Sequence, residues 1–153
     1  MIEAVHVVDV APHPIAAVRA TGVVHAKLGE TIMASLDKVW PLIRGRGIQG
    51  FGHNVVVYRM GPPPFDVEIG VQTPSPIAPE GDVIASEIPG GRAATVAYFG
   101  AYDGLGEAHQ AIHAYCSANG LKLGKFNWEL YGDWSDDPKT LRTDVFYLVE
   151  DAH

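Results

Sequence analysis

The chain of 153 residues contains two stretches with the same order of predicted elements, at about residues 3–73 and 82–150. Each stretch is predicted to form two strands, a helix and two further strands. Residues 54–58 (Asn-Val-Val-Val-Tyr) are matched 73 positions later by residues 127–131 (Asn-Trp-Glu-Leu-Tyr). Internal repetition restricts the possible folds to those built from two matched units. We therefore predict a duplicated chain that forms a single domain over residues 1–153.

Hydrophobic periodicity predicts eight strands and two helices. Leu28 and the apolar residues that follow it recur at helical spacing, and Pro41 should kink or end this first helix. The second helix is predicted from about Asp103 to Asn119, with Asp103 as its N-cap and Gly120 as a residue of positive φ after its end. The predicted strands are residues 5–10, 15–24, 54–59, 66–72, 82–88, 92–99, 126–131 and 143–149.

This order of elements predicts the fold class. Strands outnumber helices, and each half begins and ends with strands that are joined by short turns. Two such halves, packed about a pseudo-twofold axis, predict an α+β domain with a largely antiparallel sheet and two main helices.

The charge balance argues against nucleic acid as a direct partner. The chain has 11 Lys and Arg residues against 18 Asp and Glu residues, which gives a formal net charge of −7. Phosphate contacts need clustered Lys and Arg side chains, and the sequence contains no basic run. We therefore predict a small-molecule ligand, cationic or neutral, rather than direct nucleic-acid binding.

Three further features bear on the environment of the protein. A single cysteine, Cys116, excludes an internal disulfide framework and a cysteine-based zinc site. No apolar run approaches the roughly 18 residues of a membrane helix. The N-terminus carries Glu3 where a signal peptide has basic residues. We expect a cytoplasmic protein with no membrane partner.

Three segments resemble a known family. The first is residues 88–94 (Ile-Pro-Gly-Gly-Arg-Ala-Ala), and the second is residues 99–105 (Phe-Gly-Ala-Tyr-Asp-Gly-Leu). The third is residues 128–131 (Trp-Glu-Leu-Tyr), followed by residues 137–138 (Asp-Pro) and 141–145 (Leu-Arg-Thr-Asp-Val). In their order and spacing they resemble the GyrI-like family, the effector-binding domain of AraC-type and MerR-type multidrug regulators.

The resemblance implies a duplicated βαββ module, described as SHS2-like, with a ligand pocket between the pseudo-twofold halves. In multidrug-sensing members a buried Glu faces lipophilic cations among aromatic rings, and Glu129 occupies the matching position. Some stand-alone relatives resemble hydrolases that open cyclopropane rings with the same Glu. The sequence leaves no residues for a helix-turn-helix, so the expectation is a stand-alone member of the family.

Strand alternation predicts which side chains surround Glu129. Successive side chains on a strand point to opposite faces, so Asn127, Glu129 and Tyr131 share one face. Trp128 and Leu130 share the other face and are expected to pack on the helices. In the first half the position that matches Glu129 is occupied by a valine, so the predicted site carries its charge on one side only.

The candidate ligand-binding residues are Glu129 and a set of aromatic side chains that could form the walls of a pocket. Glu68 is a second, weaker carboxylate candidate, because an isolated Glu on a strand is usually in contact with solvent; the same reading is the alternative for Glu129 itself. The complete set is Glu129, Tyr131, Tyr58, Tyr147, Trp40, Phe51, Tyr98 and Glu68.

A carboxylate among aromatic rings has two physical uses. It can pair with a ligand cation, to which each ring adds about 0.5–2 kcal/mol of cation–π attraction. Alternatively, desolvation can raise the pKa of Glu129 so that it serves as a general acid or base. The sequence does not separate these uses, so Glu129 is also the catalytic candidate if the protein is an enzyme.

Two histidines of the second helix, His109 and His113, lie four residues apart and therefore share a face. Such a pair can bind a metal, but the sequence shows no third ligand. We predict partly buried or surface histidines, no metal site and no cofactor.

Three functions follow from these observations. The first is capture of a small lipophilic compound in a central aromatic pocket with a buried Glu. The second is a hydrolase of the same fold, similar to cyclopropanoid cyclohydrolases, in which Glu129 activates water to open a strained electrophilic ring. The third is a protein-interaction module such as a gyrase-inhibitor-like protein; a protein partner or a homodimer stays open.

Overall fold

A computed structural model describes residues 1–151, which form eight strands and two long helices. Single 3₁₀ turns precede both helices, at His25–Lys27 and Tyr102–Gly104, and a third turn lies at Pro138–Thr140. The long elements are β1 His6–Val10, β2 His13–Val23, α1 Leu28–Gly45, β3 Asn54–Arg59, β4 Phe65–Gln72, β5 Val83–Ile88, β6 Gly91–Phe99, α2 Leu105–Ala118, β7 Leu121–Tyr131 and β8 Arg142–Asp151.

The eight strands form one sheet in the order β1-β6-β8-β7-β3-β4-β2-β5, and all neighbouring strands pair antiparallel. The predicted α+β class, with its antiparallel sheet and two main helices, is therefore confirmed. β3 and β7 lie at the centre of the sheet, flanked by β4 and β8, then by β2 and β6. The strand order on one side of the β3–β7 junction is thus repeated on the other side.

Each half of the chain contributes its first strand to the other half of the sheet. β1 precedes β2 in sequence but pairs with β6, and β5 precedes β6 but pairs with β2. The connections that follow β1 and β5 pass close to each other. A Cβ atom placed on Gly90 would lie 2.5 Å from Cδ of Pro12, a distance that real atoms do not adopt. Glycine at this position therefore allows the two connections to pass each other.

Both helices pack on the same face of the sheet. From α1, Val39 and Ile43 are buried against residues of β2 and β4, including Val71. From α2, Ala108 and Ile112 are buried against residues of β6 and β8. The helices thereby cover the face that carries the odd-numbered residues of β7.

Trp128 lies on the opposite face, so the prediction that it packs on the helices is wrong. It is 1% exposed, and its ring stacks on Phe146 with 5.1 Å between the ring centroids. The hydrophobic residues around it all come from strands, including Val10 of β1 and Ile88 of β5. Because both edge strands contribute to this cluster, the strands themselves cover the face that the helices leave open.

The structure also locates the helix ends. α1 continues past Pro41 to Gly45, so the proline does not end it. Pro41 and Asp37 are both exposed, so water can reach the Asp37 carbonyl, which loses its helical hydrogen bond to the proline. The N-cap of α2 is Gly104 rather than Asp103, whereas Gly120 has the expected positive φ of 66°. No helix within residues 1–151 has the length and hydropathy needed to cross a membrane.

The hydrophobic cluster around Trp128 should stabilise the face of the sheet that lies opposite the helices. Replacing Trp128 by Ala should lower the free energy of unfolding by about 3–5 kcal/mol, because the cavity left among strand side chains cannot fully collapse. Urea unfolding followed by circular dichroism measures the change. Trp134→Ala is the matched control, since Trp134 is 72% exposed and its loss should change the stability by less than about 0.5 kcal/mol. Equal losses in the two variants would contradict this account of the fold.

Candidate functional site

A cavity of about 840 Å³ lies between the N-terminal half of α1 and α2, above the centre of the sheet. The strands β3, β7 and β8 contribute its floor. Most of the surface that lines it is apolar, and Glu129 is its most deeply buried charged residue. The aromatic lining residues are Tyr58, Phe65, Tyr102, Tyr131 and Tyr147, and the larger aliphatic ones are Leu28, Ile32, Met60 and Leu105.

The position of Glu129 follows from the alternation of β7. Asn127, Glu129 and Tyr131 point to the helix-covered face, and all three line the cavity. Glu129 is 5% exposed and pairs across the β3–β7 junction with Val56. Val56 is the residue that the repeat places opposite it, so the centre of the sheet carries one carboxylate and one valine.

Three side chains donate hydrogen bonds to the Glu129 carboxylate. Tyr58 and Tyr131 donate their hydroxyls to Oε1, at 3.0 and 2.7 Å. His109 donates Nε2–H to Oε2 at 2.7 Å. Since an ionised carboxylate can accept about four hydrogen bonds, the three protein donors leave room for one more partner on the cavity side.

These contacts determine the charge of Glu129. Burial alone would raise the pKa of its carboxyl group. The hydrogen bond from His109 and the charge of that ring, together with the hydroxyls of Tyr131 and Tyr58, outweigh burial and hold the pKa below its usual range. Glu129 is therefore ionised at neutral pH. Burial alone would have shifted its pKa in the opposite direction.

The tyrosines around Glu129 stay protonated. Burial, followed by the charge of Glu129, raises the pKa of the Tyr58 and Tyr131 hydroxyls. The same two causes raise the pKa of Tyr147 to about 12. All three phenols therefore remain hydrogen-bond donors across the physiological pH range.

His109 links Glu129 to β8. Its Nδ1 lies 2.6 Å from the Tyr147 hydroxyl, and His113 Nε2 lies 3.4 Å from the same hydroxyl. Sequence reasoning treated both histidines as ordinary partly buried or surface residues and missed this contact. The missed signal was spacing: His109 follows the buried Leu105 by one helical turn, which directs it toward the sheet. Within residues 1–151, no three His, Cys, Asp or Glu side chains are arranged to hold a metal ion.

Of the eight candidate ligand-binding residues, the structure brings four together around the cavity: Glu129, Tyr131, Tyr58 and Tyr147. Tyr98 lies outside it, buried beneath the turn before α2, where its hydroxyl donates to the Ala101 carbonyl at 2.7 Å.

The remaining three candidates also lie away from the cavity. Trp40 donates its indole hydrogen to Asn54 Oδ1, and Phe51 packs edge-on against its ring at a centroid distance of 5.1 Å. Glu68 pairs with Arg19 at 2.6 Å on the face of the sheet opposite Glu129. The cavity therefore has one buried carboxylate.

Aromatic contacts continue from the cavity to the surface. Tyr102 packs edge-on against Tyr131 at 5.5 Å, and Trp134 lies 6.5 Å beyond Tyr102. Sequence reasoning selected neither Tyr102 nor Trp134, because both follow strands in segments without periodicity. These rings form an aromatic path from solvent to the hydroxyl that contacts Glu129.

Comparison with known proteins gives this cavity its context. The model of the GyrI-like small-molecule binding domain matches residues 3–150. The chain belongs to the GyrI-like family. No curated protein sequence matches it significantly. The family assignment makes this chain a small-molecule binding domain, like the effector domains of regulators, and confirms the expected resemblance.

Solved structures share the fold of this GyrI-like domain. The crystal structure of the C-terminal domain of EcmrR matches with a TM-score of 0.76 and 20% identity, covering 96% of this chain and 97% of that domain. EcmrR in a complex with DNA matches with a TM-score of 0.78 and 19% identity over 98% of this chain, which spans 58% of that regulator.

Two further structures extend the comparison. SAV2435 bound to tetraphenylphosphonium matches with a TM-score of 0.66 and 11% identity, covering 97% of this chain and 94% of that one. A hydrolase from Listeria innocua matches with a TM-score of 0.61 and 10% identity, covering 96% and 92%. At these identities the likeness shows the fold alone.

The lowered pKa of Glu129 predicts how stability depends on pH. A carboxyl whose folded pKa lies below its ordinary value of 4.5 stabilises the folded state above that pH, and the contribution is lost as pH falls through the folded pKa. Glu129→Gln should therefore cost roughly 2–3 kcal/mol at pH 6 and less at pH 3. Denaturant unfolding of both proteins across this range measures the difference.

Glu87→Gln serves as the control, because Glu87 is an exposed carboxylate on β5. Its effect on stability should be small at every pH. A difference between wild type and Glu129→Gln that stays constant from pH 6 to pH 3 would contradict the ionisation of Glu129 described above.

Proposed function

We propose that this domain binds a small lipophilic organic compound in the cavity above β3 and β7, with Glu129 as the counter-ion of a cationic ligand. The observation that carries the proposal is a 5%-exposed carboxylate, held by three hydrogen-bond donors, at the floor of an open cavity of about 840 Å³. Cavities of this size suit drug-sized ligands. A buried negative charge favours a positive partner, since little water remains to screen the attraction.

The aromatic lining supports the same ligand class. Five aromatic rings line the cavity that holds the carboxylate, and the faces of such rings attract cations. Three of their hydroxyls already have protein partners: Tyr58 and Tyr131 donate to Glu129, and Tyr147 contacts His109. The lining therefore offers a ligand mainly apolar surface and one buried negative charge. A quaternary lipophilic cation, which has no hydrogen-bond donors of its own, matches these properties.

One observation supports the hydrolase alternative. Glu129 contacts His109, and carboxylate–histidine pairs of this kind transfer protons in many enzymes. The lowered pKa of Glu129 counts against it, because a strongly ionised carboxylate is a weak base at neutral pH. The hydrolase in the structural comparison is similar in fold only. Binding without turnover is therefore the better-supported function.

Tetraphenylphosphonium is a suitable probe, because SAV2435, a protein of the same fold, is described in complex with it. The wild-type domain should bind this cation, and Glu129→Gln should weaken binding by about tenfold or more, which corresponds to loss of one buried charge pair worth at least about 1.4 kcal/mol. Isothermal titration calorimetry at pH 7.5 measures both affinities.

The matched control is Glu68→Gln, which removes a second carboxylate of the sheet from the face opposite the cavity. Its affinity for tetraphenylphosphonium should stay within twofold of wild type. Equal losses in the two variants, or no binding by the wild type, would overturn the proposal. Mass spectrometry of the recovered probe and of a cyclopropane-containing compound should show no product; a product lost in Glu129→Gln would establish the hydrolase instead.

A further inference from the structure

The net charge next to the cavity depends on a single proton. His109 Nε2 lies 2.7 Å from Glu129 Oε2 and donates to it, because the ionised carboxylate carries no hydrogen. His109 Nδ1 lies 2.6 Å from the Tyr147 hydroxyl, which can either donate or accept. A neutral ring accepts the Tyr147 hydrogen at Nδ1, whereas a charged ring donates to the Tyr147 oxygen. Both protonation states therefore fit the same positions, and they give the pair a net charge of −1 or 0.

We propose that His109 couples ligand binding to proton release: an organic cation enters the cavity only as the charged His109 ring loses its proton to solvent. This inference rests on the proposed function and adds how the charge of the site changes when the ligand binds. The exchange is balanced, since one positive charge arrives as the proton leaves. When the His109 ring is charged, the pair with Glu129 has no net charge, and the site favours uncharged ligands.

The burial of the pair explains why the two positive charges exclude each other. The Glu129 side chain is 7% exposed and that of His109 is 24% exposed, so little solvent separates them. A ligand cation beside Glu129 would lie close to a charged His109 ring in the same low-dielectric cavity. Two like charges a few ångströms apart repel strongly there, whereas loss of a proton from histidine at pH 5–8 is cheap.

The other groups that line the cavity do not supply this switch. The tyrosines facing His109 keep their protons, and Glu129 keeps its charge. Two further histidines, His25 and His113, are exposed to solvent, and His113 contacts Tyr147 through both the hydroxyl and the ring. The remaining charged lining residues are Arg59 from β3 and Asp103 from the turn before α2.

The coupling predicts a direction for pH dependence. Affinity for tetraphenylphosphonium should rise with pH, by up to about tenfold per pH unit while His109 is charged, and should level off once the ring is neutral. Affinity for neutral triphenylphosphine oxide, a probe of related shape, should not rise in this way. Calorimetry in two buffers of different ionisation enthalpy should show the release of up to one proton for each cation bound.

Two variants separate His109 from its neighbour. His109→Gln keeps an amide donor for Glu129 but has no titrating ring, so its affinity for tetraphenylphosphonium should be nearly independent of pH between 5.5 and 8. His113→Gln tests the neighbouring histidine on the same helix face, and the pH dependence of the affinity should persist in this variant. Nitrogen NMR shifts of the His109 ring provide a readout in the unaltered protein: adding tetraphenylphosphonium at pH 6 should move them to the values of a neutral ring.

The outcomes distinguish this inference from the function on which it rests. Absence of tetraphenylphosphonium binding at every pH would overturn both. Binding that depends on Glu129 but releases no proton, leaves the His109 shifts unchanged, or keeps its pH dependence in His109→Gln would overturn the coupling alone. Loss of the pH dependence in His113→Gln would show that His113 releases the proton, and would also overturn the coupling through His109.

Discussion

An ionised carboxylate stays inside a protein core only when donors surround it, because removing its charge from water otherwise costs too much free energy. Glu129 receives its donors from β3, β7 and α2, which belong to different halves of the chain. The junction of β3 and β7 therefore has to be in register, and α2 has to lie across β7 at the height of His109. The same arrangement leaves a cavity between α1 and α2, since neither helix covers the carboxylate completely.

Much of this fold and part of its site follow from the sequence. Alternation along β7 is a local property, so it places Glu129 and Tyr131 on one face without knowledge of the neighbours. The repeat locates the junction, and it identifies Val56 as the counterpart of Glu129. What could not be predicted depends on how elements pack. The rotation of α2 decides that His109 reaches Glu129, and the face that the helices select decides that Trp128 packs only among strands. Trp40 and Phe51 have aromatic rings that could line a pocket. They lie at the C-terminal end of α1, however, and this end is remote from the cavity.

The fold and the chemistry of the site are separable in this molecule. Solved structures with 10–20% identity share the fold over nearly the whole chain. The backbone arrangement thus tolerates extensive substitution, because it depends on alternating apolar strands and on two amphipathic helices. The properties of the cavity depend on fewer side chains: one carboxylate, its three donors and the aromatic path through Tyr102 to Trp134. Changes at those positions would alter the charge and shape of the cavity without altering the sheet.

The exchanged edge strands have a consequence for symmetry. A chain of half this length could make the same β1–β6 and β2–β5 pairs only as a dimer whose two copies trade their first strands. In such a dimer the residues at positions 56 and 129 would be identical and would face each other across the twofold axis. Two glutamates there would repel, and two valines would leave the cavity without a charge. A single carboxylate at the centre therefore requires both halves to be encoded in one chain, where the two facing positions can differ.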